Sequence, residues 1–260
     1  FGGVCPARRK RGKMTDLDTV RRLASRIRDI SERPEQTEKI RLWKRCNDLN
    51  PERPMVFANL QGGWDELDEQ WIDLECEDKQ FRSLEHSLRR LILRNEHIPD
   101  DFPVTADYRV GPVVTGDTYD DYGIPLLTQK PAEADGAYHI SPIITLEDDM
   151  QRLRFRPVSI DLAETDRRFA AVSDAIGDIL KVVRVGRAHW RYGLTRVLIH
   201  MRGFKQMLLD FYEHPALIHE LMIFLRDDFQ AELEVYERAG MVGLSNYPQS
   251  VLGSGGLAYC

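Results

Sequence analysis

The segment over residues 203–256 constrains the fold of this chain more than any other part of the sequence. A short helical pattern leads through Glu213-His214-Pro215 into a long amphipathic pattern, and a Gly turn, a short apolar run and a Gly-rich loop follow. Pro215 suits the first turn of a helix, where its missing N–H leaves no hydrogen bond unmade, and Gly240 suits the position just beyond the last turn. We expect this helix to have one apolar face, formed by Leu217, Leu221, Phe224, Leu225, Phe229, Leu233 and Tyr236.

The acidic residues of this helix are expected to lie mostly off its apolar face; they are Asp227, Asp228, Glu232 and Glu234. The run over 241–245 is too short and apolar for another helix, so it predicts a buried strand. A helix, a tight turn and a buried strand form the αβ half of a parallel sheet. The sequence ends at Cys260, soon after this strand, and we interpret the abrupt end as that of a truncated protein.

Helical and strand-like patterns alternate along the rest of the chain, which predicts a parallel α/β fold. The glycines after the first predicted strand do not form GxGxxG, which disfavours a dinucleotide-binding fold. The order of elements favours an incomplete (β/α)8 TIM-type barrel, its N-terminal half or more, preceded by two leading helices. The long irregular stretch over 111–145 indicates a functional segment or an insertion. Helices are predicted over 16–31, 34–49, 64–96 with a break near 77–78, 146–154, 166–180, 193–201 and 203–212, and strands over 55–60, 102–110 and 181–185.

The first thirteen residues differ from the body of the chain, because they carry five cations and no acid. A basic arm that binds nucleic acid or lipid is one interpretation; a non-native leader before a start at Met14 is the one we favour, with a single barrel domain over 14–260. Without these five cations the formal net charge falls from −6 to −11, and so acidic a body argues against a nucleic-acid partner.

Membrane and secretory signals are not recognised in the sequence: no apolar run of about 18 residues occurs, and no apolar segment follows the basic start. The four cysteines, Cys5, Cys46, Cys76 and Cys260, form no CxxC pair. Unpaired thiols of this kind are typical of a reducing compartment, so the sequence predicts a cytoplasmic protein.

Five motifs, taken in order, resemble the uroporphyrinogen decarboxylase superfamily over most of residues 14–260. They are RPMVFANLQGGWDEL, GDILKVVRVG, HMRGF, EHPALIHELMIFL and GLSN followed by GSGGLAY. The resemblance implies a (β/α)8 barrel with its site at the C-terminal ends of the strands. It also implies membership of one of two branches, the decarboxylases of haem biosynthesis or the zinc-dependent methyltransferases that act with corrinoid proteins.

The first-strand loop favours the methyltransferase branch. Decarboxylases of the family have two arginines there, in a stretch of the form MRQAGR, to hold substrate carboxylates. The matching residues 58–64 read ANLQGGW and contain no arginine. The resemblance places the zinc ligands of the methyltransferases, His and Cys of later strands, beyond Cys260, so no metal ligand is assigned among these residues.

The leading hypothesis is therefore a zinc-dependent methyltransferase that acts with a corrinoid protein, zinc making a bound thiol a methyl-accepting thiolate. A cofactor-free uroporphyrinogen decarboxylase of porphyrin biosynthesis is the first alternative, and a non-catalytic corrinoid- or tetrapyrrole-binding protein is the second. The expected partners are a small-molecule, tetrapyrrole or corrinoid substrate and a corrinoid protein, with no membrane partner, and a homodimer is left open. The 260 residues alone are expected to be inactive and aggregation-prone.

Candidate site residues are those that follow the predicted strands, where barrels place their chemistry. Each group has a structural alternative: a plain turn with a core aromatic after the first strand, a surface ion pair at the second, a half-buried cluster after the third and a Gly-rich turn after the last. The resemblance matches Asp107 to the decarboxylase aspartate that binds pyrrole N–H groups. The predicted catalytic residues are Asp107, His189 and Tyr192, and the predicted substrate-binding residues are Asn59, Gln61, Trp64, Tyr108, Arg109, Trp190, Asn246 and Tyr247.

Overall fold

The computed structural model describes residues 14–60, 63–116, 122–124, 128–129, 139–145, 147–188, 193–243, 251–252 and 256–259. The fold is mixed α/β, as the sequence predicts. Contacts divide the chain into two units, one of residues 1–110, 167–184 and 245–260 and the other of residues 111–166 and 185–244. No helix in the described ranges is both long enough and apolar enough to cross a membrane.

The described helices and strands follow in chain order. The α-helices are α1 (Asp16–Ser31), α2 (Pro34–Asn47), α3 (Gly63–Trp71), α4 (Lys79–His97), α5 (Leu162–Ile176), α6 (Leu194–Arg202), α7 (Phe204–Glu213) and α8 (Pro215–Arg238), with a 3-10 helix at Glu147–Arg152. The strands are β1 (Asp107–Val110), β2 (Val113–Thr115), β3 (Thr128–Gln129), β4 (His139–Ile140), β5 (Ser159–Asp161), β6 (Lys181–Arg184), β7 (Val251–Leu252) and β8 (Gly256–Leu257). Each predicted helix has a counterpart, but the break predicted near 77–78 extends over 72–78, and the helix predicted over 146–154 is the 3-10 helix.

The core of the first unit forms where α1 packs against α4. Thr15 caps α1 by accepting a hydrogen bond from the Asp18 N–H, which satisfies one of the free amides of the first turn. The residues that α1 and α4 bury recur every three or four positions, so each helix presents one apolar stripe. These buried residues include Val20, Leu23, Ile27 and Ile30 of α1 and Leu84, Leu88 and Ile92 of α4.

Strands β1 and β6 pair in parallel, with Asp107 opposite Lys181 and Val110 opposite Arg184. The chain between them contains α5, so they form a β-α-β connection. The strand predicted over 181–185 is confirmed, and the one predicted over 102–110 is confirmed only for its last four residues. The other described strands pair antiparallel, as β2–β5, β3–β4 and β7–β8. Because the described strands pair two by two, the closed barrel stays a prediction.

The strand predicted over 55–60 is wrong: these residues form no strand and belong to no sheet. Two carboxylates bond this backbone instead of a neighbouring strand. Asp101 accepts from the Val56 N–H at 2.8 Å, and Asp100 accepts from the Ala58 N–H at 3.1 Å. These two N–H groups are therefore satisfied by side chains, which an apolar sequence pattern does not reveal.

Helix α8 contributes several residues to the core of the second unit and matches its prediction in most respects. Pro215 occupies the first turn, and Gly240 follows the helix with a left-handed φ of 64°. The predicted apolar face is buried at Leu217, Leu221, Leu225, Phe229 and Tyr236. The expectation for the acidic residues is wrong at Asp228 and Glu232, which are each only 2% exposed.

A parallel bridge joins Arg187 to Val242 in the second unit. The Arg187 N–H donates to the Met241 carbonyl at 2.7 Å, and the Gly243 N–H donates to the Arg187 carbonyl at 2.9 Å. The strand predicted over 241–245 is represented by this bridge, because residues 244–250 lie outside the described ranges. Helices α6, α7 and α8 connect the two bridged positions, which makes a second parallel connection through helices.

Candidate functional site

The predicted residues of the second strand lie inside β1, paired with β6, rather than after it. Side chains alternate along a strand, so Asp107 and Arg109 share one face and Tyr108 points to the other. Tyr108 packs against the apolar core of the first unit. Burial raises the pKa of its phenol, and a hydrogen bond with Ser87 acts in the opposite direction. Tyr108 is therefore anchored in the core, and the side chains of Asp107 and Arg109 share the opposite face of β1.

The predicted first-loop residues have different surroundings. Asn59 is exposed, whereas Trp64 is half-buried in the first turn of α3. The guanidinium of Arg90 lies over the Trp64 ring, 5.0 Å from its centroid. A cation over an indole face is a favourable electrostatic contact. Trp64 is therefore part of a charged contact between α3 and α4.

Trp64, Asp68, His86 and Arg90 make up what we call the α3–α4 cluster. His86 Nε2 and Asp68 Oδ2 are 2.8 Å apart, and Arg90 Nε donates to Asp68 Oδ1 at 2.9 Å. The hydrogen bond from Arg90 holds the pKa of Asp68 below its usual range, with a smaller contribution from His86. A histidine oriented by a carboxylate is an arrangement suited to proton transfer, and about a third of the His86 side chain is exposed.

The sequence contains a weak signal of this cluster in the spacing of two residue pairs. Trp64 and Asp68 are four residues apart on one helix, and His86 and Arg90 are four apart on the next, so each pair shares a helix face. An acidic run such as 65–69 is typical of a solvated helix face, but the side chain of Asp68 is only about 20% exposed. Only the packing of α3 against α4 brings the two pairs together.

The charge of Asp68 is expected to stabilise the fold in a pH-dependent way. Its folded pKa lies below the unfolded value of about 3.9, so its contribution is present above that value and is lost as the pH falls through the folded pKa. We expect Asp68→Asn to lower the free energy of unfolding by about 1 kcal/mol at pH 7 and by less at pH 3. Urea unfolding at both pH values measures this, with the exposed Asp65→Asn on the same helix as the control. An equal loss at both pH values would contradict the assignment.

A second charged cluster lies in the interior of the second unit and was not predicted. Arg156 donates to Asp228 through its backbone N–H and its Nε, each at 2.7 Å, and to Glu232 Oε2 through Nη2 at 2.8 Å. The side chains of all three residues are at most 2% exposed. Glu232 also contacts Arg187, which donates to the Tyr236 hydroxyl at 3.2 Å. Two cations and two carboxylates balance one another in this buried network.

The buried network serves structure rather than substrate, because its oxygens are enclosed and already accept hydrogen bonds. Arg156 also lies over the Phe229 ring, 4.6 Å from its centroid. Desolvation by burial raises the pKa of Asp228, while the hydrogen bonds and charge of Arg156 act in the opposite direction. The network therefore joins the segment that contains Arg156 to α8 and keeps two carboxylates in the interior.

The remaining predicted site residues lie outside the described ranges. They are Gln61, His189, Trp190, Tyr192, Asn246 and Tyr247. Of the predicted catalytic residues, only Asp107 has a described position, so the grouping of Asp107, His189 and Tyr192 stays a prediction.

Within the described ranges, no group of three or more His, Cys, Asp or Glu side chains is arranged to hold a metal ion. Burial raises the pKa of the Cys76 thiol to about 12. Cys76 is therefore protonated at neutral pH and is not activated as a nucleophile. The described residues do not form the zinc site of the methyltransferase hypothesis.

Comparison of the chain with protein-family models, curated proteins and solved structures found no match.

Proposed function

We propose that this chain belongs to an α/β-barrel enzyme of the uroporphyrinogen decarboxylase type, from the methyltransferase-like branch that acts with a corrinoid protein. The observation that carries the proposal is the parallel register of β1 with β6, joined through α5. These strands lie within the stretches that the sequence pattern predicts as the second and third strands of the barrel, 102–110 and 181–185. The parallel bridge of Arg187 with Val242, joined through α6–α8, adds a second connection of the same kind.

Two arginines near residues 55–64, Arg90 and Arg94, support the methyltransferase branch over the decarboxylase. Arg94 donates to the Ala58 carbonyl at 2.7 Å and also contacts Asp100. Arg90 is paired with Asp68. Clamping a tetrapyrrole with eight acidic side arms needs guanidinium groups that are free to pair with substrate carboxylates. These two cations are already paired with carboxylates of the protein itself.

The proposed reaction moves a methyl group from a corrinoid to a thiol, and Asp107 and Arg109 would contact the polar part of the substrate from their shared face of β1. The compartment we propose is the cytoplasm, where Cys46 and Cys76, both free thiols, would remain reduced. Zinc ligands would come from residues other than those described.

Two assays on the protein test this proposal. With methylcob(III)alamin and a small thiol such as 2-mercaptoethanesulfonate, we expect the thiol to gain the methyl group as cob(I)alamin leaves, and elemental analysis to find about one zinc per chain. Asp107→Asn is expected to lower kcat/KM about 100-fold, and the exposed Asp174→Asn is the matched control. Formation of coproporphyrinogen from uroporphyrinogen would overturn the proposal in favour of the decarboxylase. Tight corrinoid binding without turnover would overturn it in favour of a carrier.

A further inference from the structure

Helix α8 and the first residue of α6 line a groove of about 570 Å³ in the second unit. The floor of this groove is apolar. It is formed by Leu194 of α6 and by Phe229 and Leu233 of α8, which are four residues apart and share one face of the helix. The volume lies in the range of pockets that hold small organic molecules. We call this groove, together with the polar residues along its edge, the α8 groove.

The polar edge of the α8 groove follows a single stripe of the helix. Arg226, Gln230, Glu234 and Glu237 recur at steps of four, four and three residues, so they lie along one side of the groove. With a rise of about 1.5 Å per residue, this stripe is about 16 Å long. A cation therefore lies at one end of the groove, and two carboxylates lie at the other.

The two carboxylates are accessible to a ligand. The side chain of Glu234 is 52% exposed, and its carboxylate is 3.5 Å from the Gln230 amide nitrogen and 4.0 Å from an Arg238 guanidinium nitrogen. Glu237 is exposed, and its carboxylate has no partner among the described side chains. Residues three apart on a helix are neighbours on its surface. Both carboxylates can therefore accept hydrogen bonds from a single ammonium group, which has three N–H donors.

We propose that the α8 groove binds an organic cation of the alkylamine class. Its ammonium group lies between Glu234 and Glu237, and its apolar chain lies over the floor at Leu233. The two carboxylates balance the charge of the ligand, and the floor removes its chain from water. An anion with the same chain is excluded because the carboxylates repel it. This site is independent of the reaction that the protein catalyses.

The opposite end of the groove sets a second requirement. Arg226 donates to Asp227 at 2.6 Å, so this end has a guanidinium that is already paired with a carboxylate of the protein. A second ammonium on the ligand would lose water there without gaining a carboxylate. The groove is therefore expected to select a chain with one cationic end over a chain with two.

Calorimetric titration of the protein with three probes of similar length tests the charge requirement. The probes are octylamine, octanoate and 1,8-diaminooctane, all ionised at pH 7. We expect one octylamine to bind per chain with a Kd of about 0.5 mM, and the other two probes to bind at least about 10-fold more weakly. Octanoate that binds as tightly as octylamine, or octylamine that does not saturate the protein by about 10 mM, would overturn the proposal.

Glutamate variants locate the site on α8. Glu234→Gln and Glu237→Gln are each expected to weaken octylamine binding about 5-fold, and the double variant about 20-fold. Glu220→Gln is the matched control, because it removes the same charge from an exposed position of α8 outside the groove, and it is expected to change the Kd less than about 2-fold. Equal weakening by all three single variants would mean that octylamine responds only to the net charge of the protein, which would refute the site.

A change in the floor tests the apolar contact. Leu233→Gln keeps the size of the side chain but makes it polar, and we expect it to weaken octylamine binding about 10-fold. Ile223→Gln is the control, since Ile223 is 49% exposed on α8 outside the groove, and it should leave the Kd unchanged. Circular dichroism verifies that both variants are folded. The unaltered protein gives a second readout, because butylamine should bind at least about 10-fold more weakly than octylamine. Equal binding of the two amines, or equal effects of the two variants, would contradict the proposed position of the chain.

Discussion

Replacing Arg156 with methionine is expected to lower the free energy of unfolding by about 3–5 kcal/mol. Methionine keeps the apolar stem of the side chain against Phe229 but removes the charge that faces Asp228 and Glu232. Both carboxylates remain in the interior, where each is only 2% exposed. An unpaired buried carboxylate is strongly destabilising because the lost hydration is no longer offset by a hydrogen-bonded cation.

The pH dependence of the Arg156→Met variant separates a charge effect from a packing effect. Without the guanidinium, only the backbone N–H of residue 156 still opposes the rise in the pKa of Asp228 that burial causes. A raised folded pKa adds stability at low pH, and that contribution is lost as the pH rises through the folded pKa. The deficit of the variant should therefore be smaller at pH 5 than at pH 8. Urea unfolding at both values measures it.

A matched control for this prediction lies on the exposed side of α8, the helix that carries Asp228 and Glu232. Arg226 pairs with Asp227, and the side chain of Arg226 is 62% exposed. Because exposed pairs add little stability, we expect Arg226→Met to change the free energy of unfolding by less than about 1 kcal/mol. If Arg156→Met cost no more than Arg226→Met, or if its cost did not depend on pH, the buried network would not have the role that we assign to it.

The sequence predicts α8 well because its signals are local. Pro215, Gly240 and the spacing of the apolar residues each act through neighbours within one or two turns. The spacing also places Asp228 and Glu232 on the buried face, because Leu225, Asp228, Glu232 and Tyr236 follow one another at steps of three, four and four residues. A charge at such a position is normally exposed, and only a cation distant in the chain changes this outcome. That cation, Arg156, is 72 residues from Asp228, beyond the reach of any periodic pattern.

The strand prediction over 55–60 is wrong for the same physical reason, because its hydrogen-bond partners are distant in the chain. Its apolar residues are compatible with a buried strand, but a strand also needs a neighbour for its backbone groups. Asp100 and Asp101 supply those hydrogen bonds, and nothing in the local sequence indicates that two carboxylates 42 and 45 residues away would do so. The candidate site is predictable only in part. The position of Trp64 after an apolar run identifies it as a candidate, whereas Asp68 and His86 come together only when α3 packs against α4.

Two glycines, Gly186 and Gly243, allow the backbone segments of the parallel bridge in the second unit to approach each other closely. A Cβ atom at Gly186 would lie 2.5 Å from the Met241 carbonyl oxygen and 2.6 Å from the Gly243 nitrogen. A Cβ at Gly243 would lie 2.6 Å from the Gly186 carbonyl oxygen. Neither glycine has a left-handed φ, so space rather than backbone conformation excludes a side chain at these positions.

Gly186→Ala and Gly243→Ala are each expected to lower the free energy of unfolding by about 3 kcal/mol, because the atoms in the way are backbone atoms that cannot rotate aside. The double variant should cost much less than the sum of the two, since either methyl group alone separates the same pair of segments. Gly111→Ala is the control: its Cβ would meet nothing within 4 Å, and we expect a change within about 0.5 kcal/mol. Urea unfolding measures all four proteins. Full additivity would mean that the glycines act at separate contacts, and a loss as small as that of Gly111→Ala would mean that Arg187 and Val242 are not held at bridging distance. In either case the second parallel connection would no longer support the barrel proposal.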